Sequence, residues 1–404
     1  MSRSKQFTSA DTANESSTTI SPRVFSIDRS PSLGQFKEIC SQDTLAERYP
    51  LSTTIASNIP IYDVSTLDPG DGETAAALQA EWHDILLSGP GIIVLRHMFK
   101  DKALLERVND AFQNIIDREK LASSKGDHFS SDGQSDRIWN SFSKHGLESP
   151  DSFLSYYSNP WLALISEAWL GPGYRMTAQA NMICPGGAAQ NVHRDYHLGF
   201  QTTEQVAQYP ISMHVASQHL TLQGAVAHSD ISVKSGSTRL LPFSQQFEEG
   251  FMAWRLKDFT DYFTSNYVSL PLEMGDGLFF NPALFHAAGE NQTVDFVRKV
   301  NLLQVSSAFG KTMENIDSLP LIGRCWDDLR GKYDREGLSH EVVAFVSSVA
   351  SGYPFPTNLD KRVPGLGGLA PESEQQILFR GLTEKWDKER VCSAVCQIVE
   401  DSKA

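Results

Sequence analysis

The chain has 404 residues, of which 40% are hydrophobic and 21% are charged, and its formal net charge is −14 at pH 7. This composition is ordinary for a globular protein with a sizeable buried core, so a chain that is disordered throughout is excluded. The acidic balance, with no cluster of lysine and arginine, argues against nucleic acid as a partner, because phosphate backbones require a basic surface.

The five cysteines are odd in number and scattered, with no C-x-x-C pair. This argues against both a disulfide framework and a cysteine-based zinc site. The N-terminus lacks the apolar core of a signal peptide, and no run approaches a membrane span. We therefore expect a soluble, cytoplasmic protein with no membrane partner. The C-terminal Ser402-Lys403-Ala404 is close to the SKL-type peroxisomal signal but lacks its leucine, so a peroxisomal address is the lesser alternative.

The first half of the chain predicts a disordered tail followed by helices and two strands. Residues 1–45 are rich in Ser, Thr, Asp and Pro without an apolar period, which is typical of disorder. Residues 46–173 form the predicted helical part of the main domain, with strands at IPIYDV and GPGIIVLRHMF and helices in the segments between and after them. Residues 122–150 are polar with isolated aromatics, the composition of a long loop, and loops of this length are often functional lids.

Residues 174–310 change to short β-rich runs separated by Gly, Pro, Asn and Ser. Strand candidates include YRMTAQANMI, NVHRDYHLGF, SMHVASQHLTL, GAVAHSDISV, DGLFFNPALFHA and DFVRKVNLLQVSS. Strands at roughly ten-residue spacing predict a sandwich, a barrel or a jelly roll. Residues 311–404 read as helices, which we expect to pack on the same domain. The predicted class is therefore mainly β with α additions.

The run QNVHRDYH holds the first candidate metal ligands. In an extended strand, His193, Asp195 and His197 would all point to one side, so an imidazole and a carboxylate could bind one cation. An H-x-D pattern alone is a weak signal. A surface hydrogen-bonded pair is one alternative, and a helical zinc pair of His193 and His197 is another, although Pro185-Gly186-Gly187 and the strand texture oppose a helix.

A second histidine and an arginine follow at a suggestive spacing. If a turn centres near Asn291, His286 lies opposite Phe296, and Arg298 falls two residues further along on the same face. Two residues of strand span about 6–7 Å, close to the length of a five-carbon dicarboxylate. A guanidinium at that place would bind the far carboxylate of a keto acid chelated by the metal, while Lys299 would point to the opposite face. His286 as a core histidine and Arg298 as a solvated cation are the structural alternatives.

Two histidines and one carboxylate on one side of a metal form the facial triad of non-haem Fe(II) oxygenases, with three coordination positions open. The segments CPGGAAQNVHRDYH, SGSTRLLPFSQ and GDGLFFNPALFHAAGENQTVDFVR resemble, in order, the core blocks of the phytanoyl-CoA dioxygenase-like Fe(II)/2-oxoglutarate oxygenases. GPGIIVLRHMFKDKALLERVNDAF is similar to the strand and helix that open that domain. The resemblance covers about residues 85–305 and implies a double-stranded β-helix (jelly roll, cupin-like) core flanked by N- and C-terminal helices.

The resemblance also implies roles for single residues. His193, Asp195 and His286 would hold Fe(II), and Arg298 would bind the distal carboxylate of 2-oxoglutarate, with O2 as the second co-substrate. Gln190 matches a co-substrate contact of some fungal relatives. Ser232 stands where relatives often carry a threonine that touches 2-oxoglutarate, so the sequence departs from the pattern there.

Four further side chains are candidates for the substrate pocket: His197, Arg137, Trp139 and Phe142. We expect an oxygenase domain over residues 46–310 that oxidises a C–H bond of a small metabolite by hydroxylation, desaturation or oxidative cyclisation. The tail and the C-terminal helices resemble those of fungal members that tailor natural products, which points to secondary metabolism. Asp195 disfavours halogenation, because related halogenases carry a small residue there. A non-catalytic cupin-like module that binds a metal or a small ligand is the alternative, and a homo-oligomer is allowed.

Overall fold

The computed structural model describes residues 20–122 and 135–403. Its N-terminal part contains six helices: α1 Leu33–Cys40, α2 Gly72–Leu87, α3 Lys102–Ala122, α4 Ser141–Glu148, α5 Pro150–Tyr157 and α6 Pro160–Leu170. The β-rich part adds four short helices: α7 Thr203–Val206, α8 Ile211–Gln218, α9 Gly250–Ala253 and α10 Lys257–Asn266. The C-terminal part consists of α11 Ser318–Glu336, α12 His340–Val349, α13 Glu374–Thr383 and α14 Lys388–Asp401.

The described residues also contain ten strands. They are β1 Thr54–Ala56, β2 Ile59–Asp63, β3 Ile92–Arg96, β4 Ser135–Ile138, β5 Arg175–Ile183, β6 Thr221–Ala227, β7 Arg239–Leu240, β8 Gly277–Phe280, β9 His286–Ala287 and β10 Arg298–Ser306. Eight of them form one large sheet in the order β1-β2-β3-β8-β6-β10-β5-β4. Neighbouring strands are antiparallel except β2 and β3, which run parallel.

A smaller sheet faces the large one and completes a double-stranded β-helix. β7 pairs with β9, and single bridges extend this sheet on both sides, from His286 to His193 and from Leu240 to Val268. In chain order, the segments from β5 to β10 pass back and forth between the two sheets, with β7 and the Val268 segment consecutive in the small sheet, which is the pattern of a jelly roll. The predicted jelly-roll core with helical additions is confirmed, although helices contain more of the described residues than strands do.

The two faces of the large sheet bury different side chains. On β5, Met176, Ala178, Ala180 and Met182 pack against the helices in the main hydrophobic core. The opposite face points into the β-helix. Part of its lining is apolar: Val94, Ala225, Leu278, Phe280 and Val300. The remaining inward positions are buried polar residues, which include Gln179, Asn181, Gln223, Arg298 and Gln304. Buried polar side chains require hydrogen-bonding partners, and some of these residues contact the candidate site described below.

The predicted disordered tail is corrected in part. Residues 1–19 lie outside the described residues, but within residues 20–45 the chain forms α1, whose N-cap Ser32 accepts a hydrogen bond from the backbone N–H of Gln35. Phe36 on α1 is fully buried and contacts the rings of Phe247 and Phe285, with centroid distances of 5.2 and 4.8 Å. One aromatic residue anchors a segment whose composition alone indicated disorder.

Two other predictions of local structure are wrong. Within the predicted loop 122–150, residues 123–134 lie outside the described part, but the residues after them form β4 and α4. The helix α4 is stabilised by burial of one face, which carries Phe142, His145 and Gly146. The predicted strand SMHVASQHLTL instead forms most of α8, which follows Pro210, and only its last two residues, Thr221 and Leu222, enter β6.

The predicted pairing of His286 with Phe296 is also wrong. β9 lies in the small sheet, whereas β10 lies in the large one, where Arg298 is opposite Ile183 of β5. The chain between them crosses from sheet to sheet, and the Asn291 side chain stabilises this crossing by donating to the carbonyl oxygens of Ile183 (2.9 Å) and Phe296 (2.8 Å).

The C-terminal helices share the main hydrophobic core with α5 and α6. Leu321, Trp326 and Phe345 are buried in it, and the indole of Trp326 donates to the carbonyl oxygen of Trp386 at 3.0 Å. Among the described helices, none has the length and apolar character needed to cross a bilayer.

Candidate metal centre

The segment before β6 that carries two of the candidate ligands is attached to β9 by backbone hydrogen bonds. The N–H of Gln190 donates to Ala288 at 3.0 Å, and His193 and His286 exchange two bonds of 3.0 and 3.1 Å. The extended conformation ends soon after Asp195, because His197 has a positive φ of 57° and begins a 3-10 turn over His197–Phe200. The prediction that His197 shares the strand face of His193 and Asp195 is therefore wrong.

His193, Asp195 and His286 meet at one point. Each offers one ligand atom, and these atoms all lie within 4.8 Å of one another. The Nε2 atom of His193 is 3.6 Å from Oδ1 of Asp195, and the Nε2 atom of His286 is 3.6 Å from Oδ2. Residues from two distant stretches of sequence thus form one compact cluster.

Backbone contacts determine which nitrogen of each imidazole carries the proton, and Nε2 of His286 is in addition 3.5 Å from the amide nitrogen of Gln223. Nδ1 of His193 lies 2.9 Å from the carbonyl oxygen of Asn191, and Nδ1 of His286 lies 2.9 Å from that of Leu284. A carbonyl oxygen only accepts, so in both rings Nδ1 carries the proton and Nε2 carries a lone pair. Two lone pairs and a carboxylate that converge in this way are suited to a cation, and such second contacts are typical of histidine ligands.

The charges of the cluster also suit a metal. Burial lowers the pKa of His193, and nearby His286 lowers it further, so its imidazole is neutral at neutral pH. Burial alone would raise the pKa of Asp195, but the two histidines and Gln223 outweigh burial and lower it to about 2. Neutral imidazoles and one ionised carboxylate are the protonation states that metal binding requires.

Two glutamines that the sequence analysis missed contact this cluster. Gln223 on β6 donates from Nε2 to Oδ2 of Asp195, and Gln304 on β10 approaches the same oxygen at 3.5 Å. Their signal in the sequence is an amide side chain between apolar neighbours, in TLQGAVA for Gln223 and in LLQVSS for Gln304. A buried amide between apolar neighbours indicates a polar partner, but it does not say which one.

Arg298 lies on the inner face of the large sheet and is 4% exposed. Its Nη1 donates to the carbonyl oxygen of Gly236, Nη2 is 3.4 Å from Oδ1 of Asn181, and Nε has no partner. Burial, with Arg137 as a second cause, lowers the pKa of Arg298 to about 10, so the guanidinium stays charged at neutral pH. Among the described residues, no acidic side chain forms an ion pair with it.

The other predicted co-substrate residues differ in their surroundings. Gln190 is half-buried beside β9, and its Oε1 accepts a hydrogen bond from the N–H of Ala288 at 3.2 Å. Ser232 is exposed, and its hydroxyl instead caps the 3-10 turn Val233–Ser235 by accepting from the N–H of Ser235 at 3.1 Å. The structure therefore does not bring Ser232 into the cluster.

The four predicted pocket residues lie in different surroundings. Phe142 is fully buried against Phe153 and Tyr157 in the helical core, so its assignment to the substrate mouth is wrong. Arg137 lies over the ring of half-buried Trp139 at 5.1 Å. His197 is half-buried, and its Nε2 is 3.3 Å from the hydroxyl of Thr221, at the start of β6. For Arg137, Trp139 and His197, contact with a substrate stays a prediction.

The fold and the cluster together define a double-stranded β-helix protein with the two-histidine, one-carboxylate arrangement of the non-haem iron oxygenases. The family model described as phytanoyl-CoA dioxygenase (PhyH) matches residues 88–300, which is more than half of the chain. The chain belongs to this family.

The sequence identity to individual proteins is low. The dioxygenase aneA of Aspergillus aculeatus is 28% identical over 149 residues, which is 36% of this chain and 44% of that protein, so the match spans less than half of the relative. Among solved structures, the epimerase SnoN from nogalamycin biosynthesis is 18% identical with a TM-score of 0.41, covering 59% of this chain and 82% of its own. The carbocyclase SnoK from the same biosynthesis is 18% identical with a TM-score of 0.43, and the match covers 58% of this chain and 86% of SnoK.

Proposed function

We propose that this protein is a non-haem Fe(II)- and 2-oxoglutarate-dependent oxygenase that oxidises a C–H bond of a small metabolite in secondary metabolism. One observation carries the proposal: the unprotonated Nε2 atoms of His193 and His286 and the carboxylate of Asp195 lie together in one cluster of possible metal ligands. Membership of the PhyH family supports it. When bound there, Fe(II) with 2-oxoglutarate and O2 supplies the oxidising chemistry, and 2-oxoglutarate leaves as succinate and CO2.

The role of the protein's own residues is to bind and to orient. His193, Asp195 and His286 would occupy one side of the metal and leave the other side to co-substrate. Arg298 would bind the distal carboxylate of 2-oxoglutarate, because it is a buried cation whose Nε has no partner in the described part of the chain. Gln190, beside β9, is a weaker candidate for a co-substrate contact.

Asp195 also bears on the outcome of the reaction. Its carboxylate occupies the position that a halide would need, so we propose an oxygenase rather than a halogenase. Hydroxylation, desaturation and oxidative cyclisation all begin with hydrogen abstraction and place the same demands on these three ligands. The substrate would enter beside His197, Arg137 and Trp139.

We further propose a cytoplasmic protein whose partners are small molecules and not nucleic acid or membranes. The formal net charge of −14 supports this, because both nucleic acid and anionic lipid surfaces attract basic proteins. The division into a tail, a main domain of residues 46–310 and a C-terminal extension also stays a proposal.

The test is addition of Fe(II) and 2-oxoglutarate without oxygen. We expect the weak visible charge-transfer band of an iron-bound keto acid, and in air we expect succinate. His193→Ala and Asp195→Ala should abolish the band. His83→Ala is the matched control, because His83 is an exposed histidine on α2 and should leave the band unchanged.

Absence of both the band and succinate in the natural protein would overturn the proposal. That result would favour the alternative of a non-catalytic, cupin-like module that binds a metal or a small ligand. If the band forms, screening of metabolite pools for compounds that stimulate succinate release would identify the substrate.

A further inference from the structure

Two side-chain amides converge on a single oxygen of the candidate ligand Asp195. Gln223 Nε2 donates to Oδ2, and Gln304 Nε2 lies 3.5 Å from the same atom. Oδ1, the oxygen nearer to His193, accepts no hydrogen bond from any described residue. The two oxygens of this carboxylate therefore have different surroundings.

The large sheet holds the two glutamines in register. β6 and β10 are antiparallel neighbours, and Gln223 is directly opposite Gln304. Side chains on directly opposed residues lie on the same face of a sheet, about 4.5–5.5 Å apart at Cβ. Both are buried, with exposures of 8% and 5%. Their amide groups are thus held beside Asp195 by the strand pairing itself.

The orientation of both amides is costly unless it serves Asp195. With both nitrogens turned towards the carboxylate, Oε1 of Gln223 and Oε1 of Gln304 are buried without a partner. An unsatisfied buried carbonyl costs about 1–3 kcal/mol, and an apolar side chain of similar shape would avoid that cost. Turning the amides over would instead place two oxygens against a carboxylate, which is repulsive.

We propose that Gln223 and Gln304 are positioning residues that reserve Oδ2 of Asp195, so that Asp195 binds the metal through Oδ1 alone. This rests on the proposed metal site. A carboxylate that binds through one oxygen occupies one coordination position, whereas binding through both would occupy a second position that the co-substrate requires. Partners that orient a ligand in this way usually contribute 10–100-fold to metal affinity or activity, about the effect expected here.

The experiment measures Co(II) binding by the full-length protein, using Co(II) as an optical probe. Gln223→Met and Gln304→Met keep the side-chain volume and remove the amide. We expect Co(II) affinity to fall about 10–100-fold in Gln223→Met, and less in Gln304→Met because its contact is longer. The visible Co(II) spectrum should also change, and affinity for 2-oxoglutarate should fall at saturating Co(II).

Gln179→Met is the matched control. Gln179 is a buried glutamine on the inner face of neighbouring β5, but its amide approaches the Met313 sulfur at 3.5 Å and does not contact Asp195. The control should lose a similar amount of thermal stability while it keeps natural Co(II) affinity and spectrum. A purely structural role for the two glutamines would make all three variants alike.

The outcomes separate the two proposals. Natural Co(II) affinity and spectrum in Gln223→Met would overturn the positioning role and leave the metal site intact. Failure of the unmodified protein to bind Co(II) would instead overturn the proposed function. If Gln223→Met does not fold, Gln304→Met carries the same test from the adjacent strand, and an unchanged spectrum and unchanged 2-oxoglutarate affinity there would refute the inference.

Discussion

Replacement of Arg298 by glutamine should weaken binding of 2-oxoglutarate far more than it changes stability. The guanidinium is 4% exposed, and its hydrogen bonds within the described chain go to two uncharged acceptors, the carbonyl oxygen of Gly236 and the side chain of Asn181. No carboxylate of the described residues neutralises it, so a bound dianion would supply the missing charge. Glutamine keeps a donor but loses the charge and the fork geometry.

The magnitude follows from the two bonds that a carboxylate would lose. A hydrogen bond to a charged group contributes about 1.5–3 kcal/mol, so two of them correspond to about 3–6 kcal/mol. Each 1.4 kcal/mol is about tenfold in affinity, which predicts a loss of about 100–10,000-fold. Arg298→Lys keeps the charge without the fork and should lie between glutamine and the natural residue.

Titration calorimetry of the Co(II)-loaded protein with 2-oxoglutarate measures this loss directly. A thermal scan provides a second readout, because a ligand that binds only the folded state stabilises it by an amount that grows with the logarithm of the ligand concentration divided by Kd. The increase in Tm caused by 2-oxoglutarate should largely disappear in Arg298→Gln. Co(II) affinity should be unchanged, since Arg298 does not belong to the ligand cluster.

Lys299→Gln is the control. Lys299 is adjacent in sequence but half-buried on the alternate face of β10, where its backbone N–H donates to the hydroxyl of Ser229 at 3.0 Å. It should bind 2-oxoglutarate as the natural protein does. The reasoning would be refuted if Arg298→Gln bound normally while Lys299→Gln bound weakly, because the anchor would then be on the other face of the strand.

Two predictions concern stability. Phe36→Ala should lower the free energy of unfolding by about 3–5 kcal/mol, because the ring is fully buried among other aromatic rings, and denaturant titration would measure it; a loss below about 1 kcal/mol would mean that α1 is not docked. Burial lowers the pKa of His228 to about 3, with Lys299 as a second cause. As the pH falls, His228 is therefore protonated in the unfolded chain before it is protonated in the folded protein. Its contribution leaves the free energy of unfolding unchanged above about pH 6.5 and lowers it as the pH drops towards 3. At pH 5 this amounts to about 2 kcal/mol, and His228→Gln should reduce the loss of stability between pH 7 and pH 5 by that amount in denaturant titrations at both values; an equal loss in both proteins would contradict it.

The ordered blocks of sequence predicted the jelly-roll core and selected four residues of the candidate site. His193 and Asp195 could be paired because alternate residues of an extended segment share a face, a property of the local backbone. His286 and Arg298 were selected by their place in the same ordered blocks, although the strand pairing inferred for them was wrong. The wrong pairing did not change the selection, because both His286 and Arg298 face the interior of the jelly roll although they lie in different sheets.

Contacts between distant segments were decided only by the tertiary structure. Phe36 looked like part of a disordered tail until the rings that surround it were brought together from residues more than 200 positions away. Gln223 and Gln304 looked like ordinary strand residues, and their meeting at Asp195 depends on the register between β6 and β10. Side-chain type and local spacing are written in the sequence, but strand register and long-range packing arise from the whole chain, since each is set by which surfaces can be buried together.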